Sequence, residues 1–205
     1  MARSNIAKGG LRYWGSIFAE NVTPRVLTCF VASNNSAGLF KGDPVKRTTD
    51  GSVLQAAAGD NIFGVVAGAR YKNAAGVMVE SDYLPASTTW TLDNQRSIVY
   101  VIPATPFTIF EGDADDGSSI TTIAAARSVG WENVDHVFTT TGSTSTGLSG
   151  CQLDISTHNT TSSGWRILDI APYPSGNDVT QTLAKYLVIC NETNNWPGTF
   201  STTGI

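Results

Sequence analysis

The chain has 205 residues, of which 41% are hydrophobic and 15% are charged, and this length allows one large domain or two small ones. Thr, Ser and Asn together occupy 57 positions, and Gly occupies 20. Because these residues disfavour helix interiors while Thr suits strands, the composition excludes a helical bundle and predicts a β-rich protein. The hydrophobic fraction is high enough for a folded core, which excludes a wholly disordered chain. We expect neither a membrane-spanning helix nor a signal peptide, since the apolar runs are short.

The net charge of −4 is unevenly distributed along the chain. Residues 1–72 contain nine Lys or Arg against four Asp or Glu, whereas residues 73–205 contain four against thirteen. Three basic residues near the start, Arg3, Lys8 and Arg12, are too few for strong binding to phosphates, so nucleic acid is not an expected partner. A contact with an acidic protein surface fits them, and so does a solvated tail with incidental charge.

Residues 1–24 are predicted to form an extended N-terminal arm, and residues 25–205 a compact β-rich body that could comprise two β subdomains. The arm combines basic residues with apolar anchors of the kind that dominate interface energies. The alternative is that Trp14 packs back onto the body. The predicted partner-binding residues are Arg3, Lys8, Arg12, Tyr13, Trp14, Ile17 and Phe18.

Short β-branched and aromatic runs separated by Gly, Asn and Asp turns follow from residue 25, which predicts a β-barrel or a β-sandwich. Asp50-Gly51 is a hairpin signal, and Thr139–Gly150 is a predicted surface loop. A short helical turn is expected within Val179–Leu187, with Asp178 as its cap. The predicted strands are Val26–Val31, Leu39–Arg47, Ser52–Gln55, Asn61–Gly68, Val77–Val79, Trp90–Leu92, Ser97–Ile102, Phe107–Phe110, Ile120–Ala126, Gln152–Ile155, Trp165–Ile170 and Lys185–Cys190.

The three cysteines are far apart and odd in number, with no Cys-x-x-Cys pair. A disulfide framework is therefore not expected, and a reducing compartment is the simpler assumption. Cys29 and Cys190 lie inside apolar runs, where a free cysteine usually serves as a small core residue.

The sequence offers little for catalysis. Gly147-Leu148-Ser149-Gly150-Cys151 resembles a nucleophile elbow but lacks the final Gly and the preceding strand, so Ser149 is predicted to be a loop residue. Asp135-His136 and Asp154 with His158 lack the three clustered ligands of a zinc site, and both histidines are predicted to lie at the surface.

Four carboxylates cluster in Glu111–Gly117, but the positions of Gly and Glu do not fit a calcium-binding helix–loop–helix. A solvated acidic turn is the preferred interpretation, with a weak Ca²⁺ site left open. The five tryptophans are interpreted as core or interface residues in preference to a sugar-stacking platform. We therefore expect no catalytic residue, no metal site, no cofactor and no enzymatic activity.

Between Leu39 and Gly68 the chain contains, in this order, Gly42-Asp43-Pro44-Val45, Gly51-Ser52-Val53, Ala58-Gly59-Asp60 and Phe63-Gly64-Val65. This run is similar to one that recurs in small β-rich structural proteins of tailed phages, namely capsid decoration (cement) proteins and related virion proteins. The resemblance extends to the closing strands Trp165–Ile170 and Lys185–Asn191.

The resemblance implies a non-enzymatic protein that attaches to the outside of a phage capsid and secures contacts between major capsid subunits. It also implies a homo-oligomer, most plausibly a trimer, found in the virion after synthesis in the bacterial cytoplasm. Two alternatives stay open: another virion component, such as a head–tail connector, tail or spike protein, and a carbohydrate-binding module.

Overall fold

The computed structural model describes residues 9–18, 23–33, 35–86, 91–92, 95–115, 120, 122–159, 163–172 and 177–191, with side chains of residues 91–96 left aside. Strands make up 49% of the described residues and helix 4%. The prediction of a mainly β protein is therefore confirmed.

Sixteen strands and one helix are found in the described residues. The strands are β1 (Arg12–Ser16), β2 (Leu27–Phe30), β3 (Leu39–Phe40), β4 (Pro44–Arg47), β5 (Val53–Gln55), β6 (Gly64–Lys72), β7 (Met78–Ser81), β8 (Tyr83–Leu84), β9 (Thr91–Leu92), β10 (Gln95–Arg96), β11 (Ile98–Pro103), β12 (Thr108–Asp113), β13 (Asn133–Phe138), β14 (Cys151–Asn159), β15 (Trp165–Ile170) and β16 (Lys185–Cys190). The helix is α1 (Ile123–Ser128).

Two antiparallel sheets carry most of the strands. The first has six strands in the order β1-β12-β16-β15-β13-β14. The second has eight, with β10-β9-β6-β11-β2 as its main path, β4 and β7 paired with β6, and β5 paired with β4. A short third sheet pairs β3 with β8, where the rings of Phe40 and Tyr83 stack at 5.4 Å between centroids.

Each sheet covers an apolar cluster, and the two clusters meet at the central strands. Phe110, Trp165 and Tyr186 are among the largest buried side chains of the six-stranded sheet, and the same cluster includes Val65 and Ile102 of the other sheet. The body is consequently sandwich-like. One isolated parallel bridge joins Ala114, which follows β12, to Leu153 in β14. The described strands nevertheless do not close into a barrel.

Two predicted elements are wrong. Ile120–Ala126 was expected as a strand, but α1 begins after Thr122, whose Oγ1 accepts a hydrogen bond from the backbone N–H of Ala125 at 3.1 Å. Three successive alanines favour helix once such a cap is present. The helical turn expected within Val179–Leu187 is replaced by a turn at Asp178, whose side chain accepts from the Thr180 N–H at 3.0 Å, followed by β16.

The predicted arm is part of the sheet over the residues that the structure describes. Leu11 is fully buried in the core of the six-stranded sheet. The next five residues form β1, which pairs antiparallel with β12. The boundary expected after residue 24 is therefore wrong for Leu11–Ser16, because the β12 edge supplies main-chain partners that the sequence could not show.

A tight glycine junction holds this segment against the body. Gly10 and Gly42 both have positive φ, of 74° and 98°, and the backbone N–H of Leu11 donates to the carbonyl of Gly42 at 3.0 Å. The N–H of Gly42 donates in turn to Val66 in β6 at 2.8 Å. The Gly42-Asp43 pair thus has a structural role at the meeting point of three chain segments.

All three cysteines are free and buried. Cys29 and Cys190 belong to the cores of the two sheets, as predicted. Burial raises the pKa of the Cys151 thiol well above its usual value, with the nearby Asp43 adding to the effect. Such a thiol is a poor nucleophile, because the thiolate is the reactive form.

Candidate interaction surface

Strand β1 lies at one end of the six-stranded sheet, where β12 is its only strand partner among the described residues. The register shifts between Tyr13 and Gly15, which places a β-bulge at Trp14. A bulge bends its strand and re-aims the side chain that it carries. The side chain of Trp14 therefore departs from the regular alternation of side chains along β1.

Three large apolar side chains of this segment are exposed. Trp14 is 40% exposed, Ile17 49% and Phe18 74%. The ring of Phe18 packs against Phe107 at 4.7 Å between centroids, which anchors it to the turn before β12. Tyr13 differs from them because it is half-buried against the core. With 40% of its surface exposed, Trp14 is neither fully solvated nor fully packed back onto the body.

Arg12 binds a carboxylate that is nearly inaccessible to solvent. Its guanidinium forms an ion pair with Glu111 in β12, whose side chain is only 1% exposed. The side chain of Arg12 itself is 38% exposed. A buried charge must be paired to be tolerated, so this predicted partner-binding residue also has a structural role.

A cavity of about 380 Å³ lies between β1 and β6. The consecutive residues 11–14 all line it. Val65, Val66, Ala67 and Ile102 also line it, and its charged residues are Arg12, Lys41 and Glu111. We call this cavity the β1–β6 groove.

Lys41 adds a second cation to the groove. Its ammonium lies 3.2 Å from the carboxylate of Asp82, and both side chains are about half exposed. Exposed pairs of this kind contribute roughly 0–1 kcal/mol, so the partner of Lys41 can be exchanged at little cost. Its backbone is held firmly, since its N–H donates to the carbonyls of Asp82 and Gly147.

The structure brings five of the predicted partner-binding residues together on or just after β1, and Arg3 and Lys8 lie outside the described residues. Sequence reasoning did not find the groove residues contributed by other strands. Lys41 and Glu111 are 29 and 99 positions from Arg12, and no local pattern links residues so far apart. The triplets Lys41-Gly42-Asp43 and Glu111-Gly112-Asp113 are similar in sequence, and each packs beside residues 10–12.

The nucleophile motif has no catalytic geometry. Ser149 is buried, and its Oγ accepts a hydrogen bond from the Cys151 N–H at 2.8 Å. No hydrogen bond joins Ser149 to either histidine within the described residues. The prediction of a loop residue without catalytic partners is consistent with this arrangement, although the absence of enzymatic activity stays a prediction.

The prediction that both histidines lie at the surface is wrong for His136. Only 2% of His136 is exposed, and its Nε2–H donates to the carbonyl of Ala56 at 3.0 Å. Burial lowers the pKa of His136, which keeps the ring neutral near pH 7. His158 is partly exposed, and its Nδ1 lies 2.6 Å from Glu132. The sequence did not reveal this position, because the buried side of β13 carries a polar ring.

The acidic segment Glu111–Gly117 is not a solvated turn over its first part. Glu111 and Asp113 lie in β12 and are buried, and Asp113 pairs with the buried ammonium of Lys185 at 3.5 Å. No cluster of three or more metal-binding side chains occurs in the described part of the chain. Residues 116–119 lie outside it.

The tryptophans divide between core and surface. Trp165 is fully buried, where its ring meets Phe110 edge-on at 5.7 Å. Trp131 is 70% exposed at a turn with a positive φ of 70°. Trp90 and Trp196 lie outside the described residues. The interpretation as a core residue holds for Trp165, and the interpretation as interface residues stays a prediction for the exposed Trp14 and Trp131.

Comparison with known protein families, with curated proteins and with solved structures finds no match to this chain. In the described residues, no helix is long and apolar enough to cross a membrane.

Proposed function

We propose that this protein is a non-enzymatic structural component of a phage virion that binds the outer surface of the capsid and stabilises contacts between major capsid subunits. The observation that carries the proposal is the sheet edge at β1, where a rigid body presents Trp14, Ile17 and Phe18 to solvent. Large apolar side chains on an ordered edge are typical of protein interfaces.

The phage-like run supports the same proposal. Its Gly42-Asp43 pair joins the β1 segment to β6, and Gly64 allows β6 to approach β11 closely, since an added Cβ would lie 2.5 Å from the carbonyl oxygen of Ile102. The resemblance therefore concerns residues that build the scaffold. A cement protein requires such a scaffold and a binding edge, and little chemistry.

The partner in this proposal is the major capsid protein, and the protein itself is a homo-oligomer, most plausibly a trimer, located in the virion. An edge strand whose one described strand partner is β12 is suited to contact a neighbouring copy, because edge strands and exposed apolar side chains promote association. No nucleic acid, membrane or cofactor is part of the proposed role.

The test is quantitative analysis of purified full particles of the phage that encodes the chain. We expect the protein to co-purify with them at a copy number comparable to that of the major capsid protein. The capsids of particles that lack the protein should disassemble at a lower temperature than those of complete particles. A few copies per particle would instead indicate a connector, tail or spike component, and absence from particles would contradict a virion role.

A further inference from the structure

Lys185 and Asp113 form an ion pair that is closed off from solvent. Lys185 begins β16 and lies directly opposite Asp113, the last residue of β12, in the antiparallel register. The ammonium nitrogen Nζ is 3.5 Å from the carboxylate oxygen Oδ1, and the two side chains are only 3% and 4% exposed. Buried ion pairs are often no more stabilising than apolar residues of the same volume, so stability alone does not account for this pair.

The backbone before β16 positions the amine. Leu183 has a positive φ of 61°, which is a strained conformation for a residue with a large side chain. Its carbonyl oxygen accepts a hydrogen bond from Nζ of Lys185 at 3.0 Å, and its N–H donates to the carbonyl of Ala114 at 3.1 Å. The strained residue therefore contacts both the lysine side chain and the residue that follows Asp113.

Asn177 fixes the main chain of Lys185. The backbone N–H of Lys185 donates to Oδ1 of Asn177 at 2.8 Å, and Nδ2 of Asn177 donates to the Lys185 carbonyl at 2.8 Å. The strand register, the Leu183 carbonyl and the Asn177 amide thus act on the same residue. Together they hold Nζ beside the Asp113 carboxyl group.

We propose that Lys185 and Asp113 condense to form an isopeptide bond that joins β16 to β12 in the folded protein. The ammonium first gives a proton to the carboxylate, which leaves a neutral amine and a carboxylic acid. Nζ then attacks Cγ of Asp113, the bond from Cγ to the hydroxyl oxygen breaks, and a second proton from Nζ leaves with that hydroxyl as water. One ammonium and one carboxylate become one amide and one water, so the step needs no co-reactant.

Three physical effects favour this condensation. Groups held within about 3–3.5 Å of each other react as though they were very concentrated. A site without water disfavours separate charges, which lowers the cost of the neutral amine and acid. A desolvated lysine amine is also a better nucleophile than a hydrated ammonium. Glu111, another buried carboxyl of β12, is bound to Arg12, so the proton transfers occur within the pair.

A second lysine–aspartate pair in the protein shows which of these features matter. Nζ of Lys41 lies 3.2 Å from the carboxylate of Asp82, closer than in the buried pair, but the two side chains are 48% and 51% exposed. Water stabilises both charges there and lets the side chains move apart. We therefore expect no bond between Lys41 and Asp82, which makes this pair a matched control.

The test is mass spectrometry of the full folded chain after prolonged incubation under native conditions. We expect an intact mass lower than the sequence mass by one water molecule. Trypsin does not cleave after an acylated lysine, so digestion of the denatured protein should give one branched peptide that contains both Lys185 and Asp113.

Two variants assign the loss of water to the buried pair. Lys185→Met should have the full sequence mass and no branched peptide, whereas Lys41→Met should still lose one water. If Lys185→Met does not fold, the mass and the branched peptide of the natural chain decide the question by themselves.

Two results would overturn the proposal. A folded natural chain with its full sequence mass would mean that Lys185 and Asp113 form an ion pair only. A loss of water without the branched peptide would also reject the bond, because cyclisation at an Asp-Gly sequence such as Asp50-Gly51 removes one water as well. The inference does not depend on the proposed function, since either result leaves the virion role to be judged on purified particles.

Discussion

Gly10 and Gly42 lie in direct backbone contact: a Cβ added to Gly10 would be 2.8 Å from the Cα of Gly42, and one added to Gly42 would be 2.9 Å from the Cα of Gly10. This contact joins the segment before β1 to the turn before β4. It allows Leu11 to hydrogen-bond Gly42 and to enter the core. The edge strand and its groove are therefore positioned by two residues without side chains.

Gly42→Ala is expected to destabilise the protein by about 3 kcal/mol or more, because it combines a positive φ with a backbone clash. Gly51→Ala is the matched control, since Gly51 also has a positive φ, of 79°, but faces open space. It should cost about 1 kcal/mol from backbone strain alone. Urea unfolding of both variants measures the difference, and equal losses would contradict the proposed close contact.

Leu11→Ala is expected to lower the free energy of unfolding by about 2–5 kcal/mol, the usual range for a leucine deleted from a core. Ile17→Ala, a few residues along and 49% exposed, should cost less than about 1 kcal/mol. Thermal or chemical unfolding provides the measurement. A small effect at both positions would mean that the segment before β1 is a dispensable arm, as its sequence alone predicts.

Arg12→Met is expected to destabilise the protein by about 2 kcal/mol because it leaves the Glu111 carboxylate buried without its guanidinium. This loss is smaller than the one expected for a fully buried ion pair, because Arg12 is partly exposed. Adding Glu111→Gln removes the stranded charge and should restore part of the loss. A double-mutant cycle measures the coupling, and strictly additive effects would contradict the pairing.

Asp43 predicts a pH-dependent contribution to stability. Burial raises the pKa of Asp43 to about 6 from the usual 3.8, although hydrogen bonds from Ser149, Phe40 and Gln55 oppose the shift. A carboxyl whose pKa is higher in the folded state binds its proton more tightly there. The contribution of Asp43 to the free energy of unfolding is therefore complete below about pH 3.8, and it is lost as the pH rises through 6.

The measurement is the difference in unfolding free energy between the natural chain and Asp43→Asn across this pH range. The natural chain should lose on the order of 3 kcal/mol relative to the variant between about pH 4 and pH 6. His136, whose pKa is lowered by burial, acts in the opposite direction as the pH falls, but it is present in both proteins and cancels. A flat difference curve would contradict an ionisable buried Asp43.

Strands with consecutive β-branched and apolar residues were predictable from the sequence. β15 and β16 occur at the predicted positions, and β2, β6 and β11 overlap their predictions within a few residues, because such runs suit a pleated, buried surface whatever their neighbours are. β1 and β13 lack this pattern. Arg12–Ser16 becomes a strand because β12 offers a free edge, and Asn133–Phe138 becomes one because it lies beside β14 and β15.

The candidate site was predictable only in part, and the groove was not. The concentration of aromatic and basic residues before Phe18 marked the segment as an interface, and three of its apolar side chains are exposed. Which tryptophans are exposed could not be read from the sequence, because Trp14 and Trp165 both lie in strands, β1 and β15. Burial depends on the sheet position that each strand takes.

The amino-acid sequence by itself determined the β class, the core cysteines and most strand positions, since these follow from local preferences and short-range patterns. Only the tertiary structure decided that Leu11 belongs to the core and that Glu111 is buried beside Arg12. It also decided that Lys41 lines the β1–β6 groove together with Arg12 and Glu111. The physical reason is that these relationships depend on strand order and register, which join residues distant in the chain through hydrogen bonds that any backbone can form.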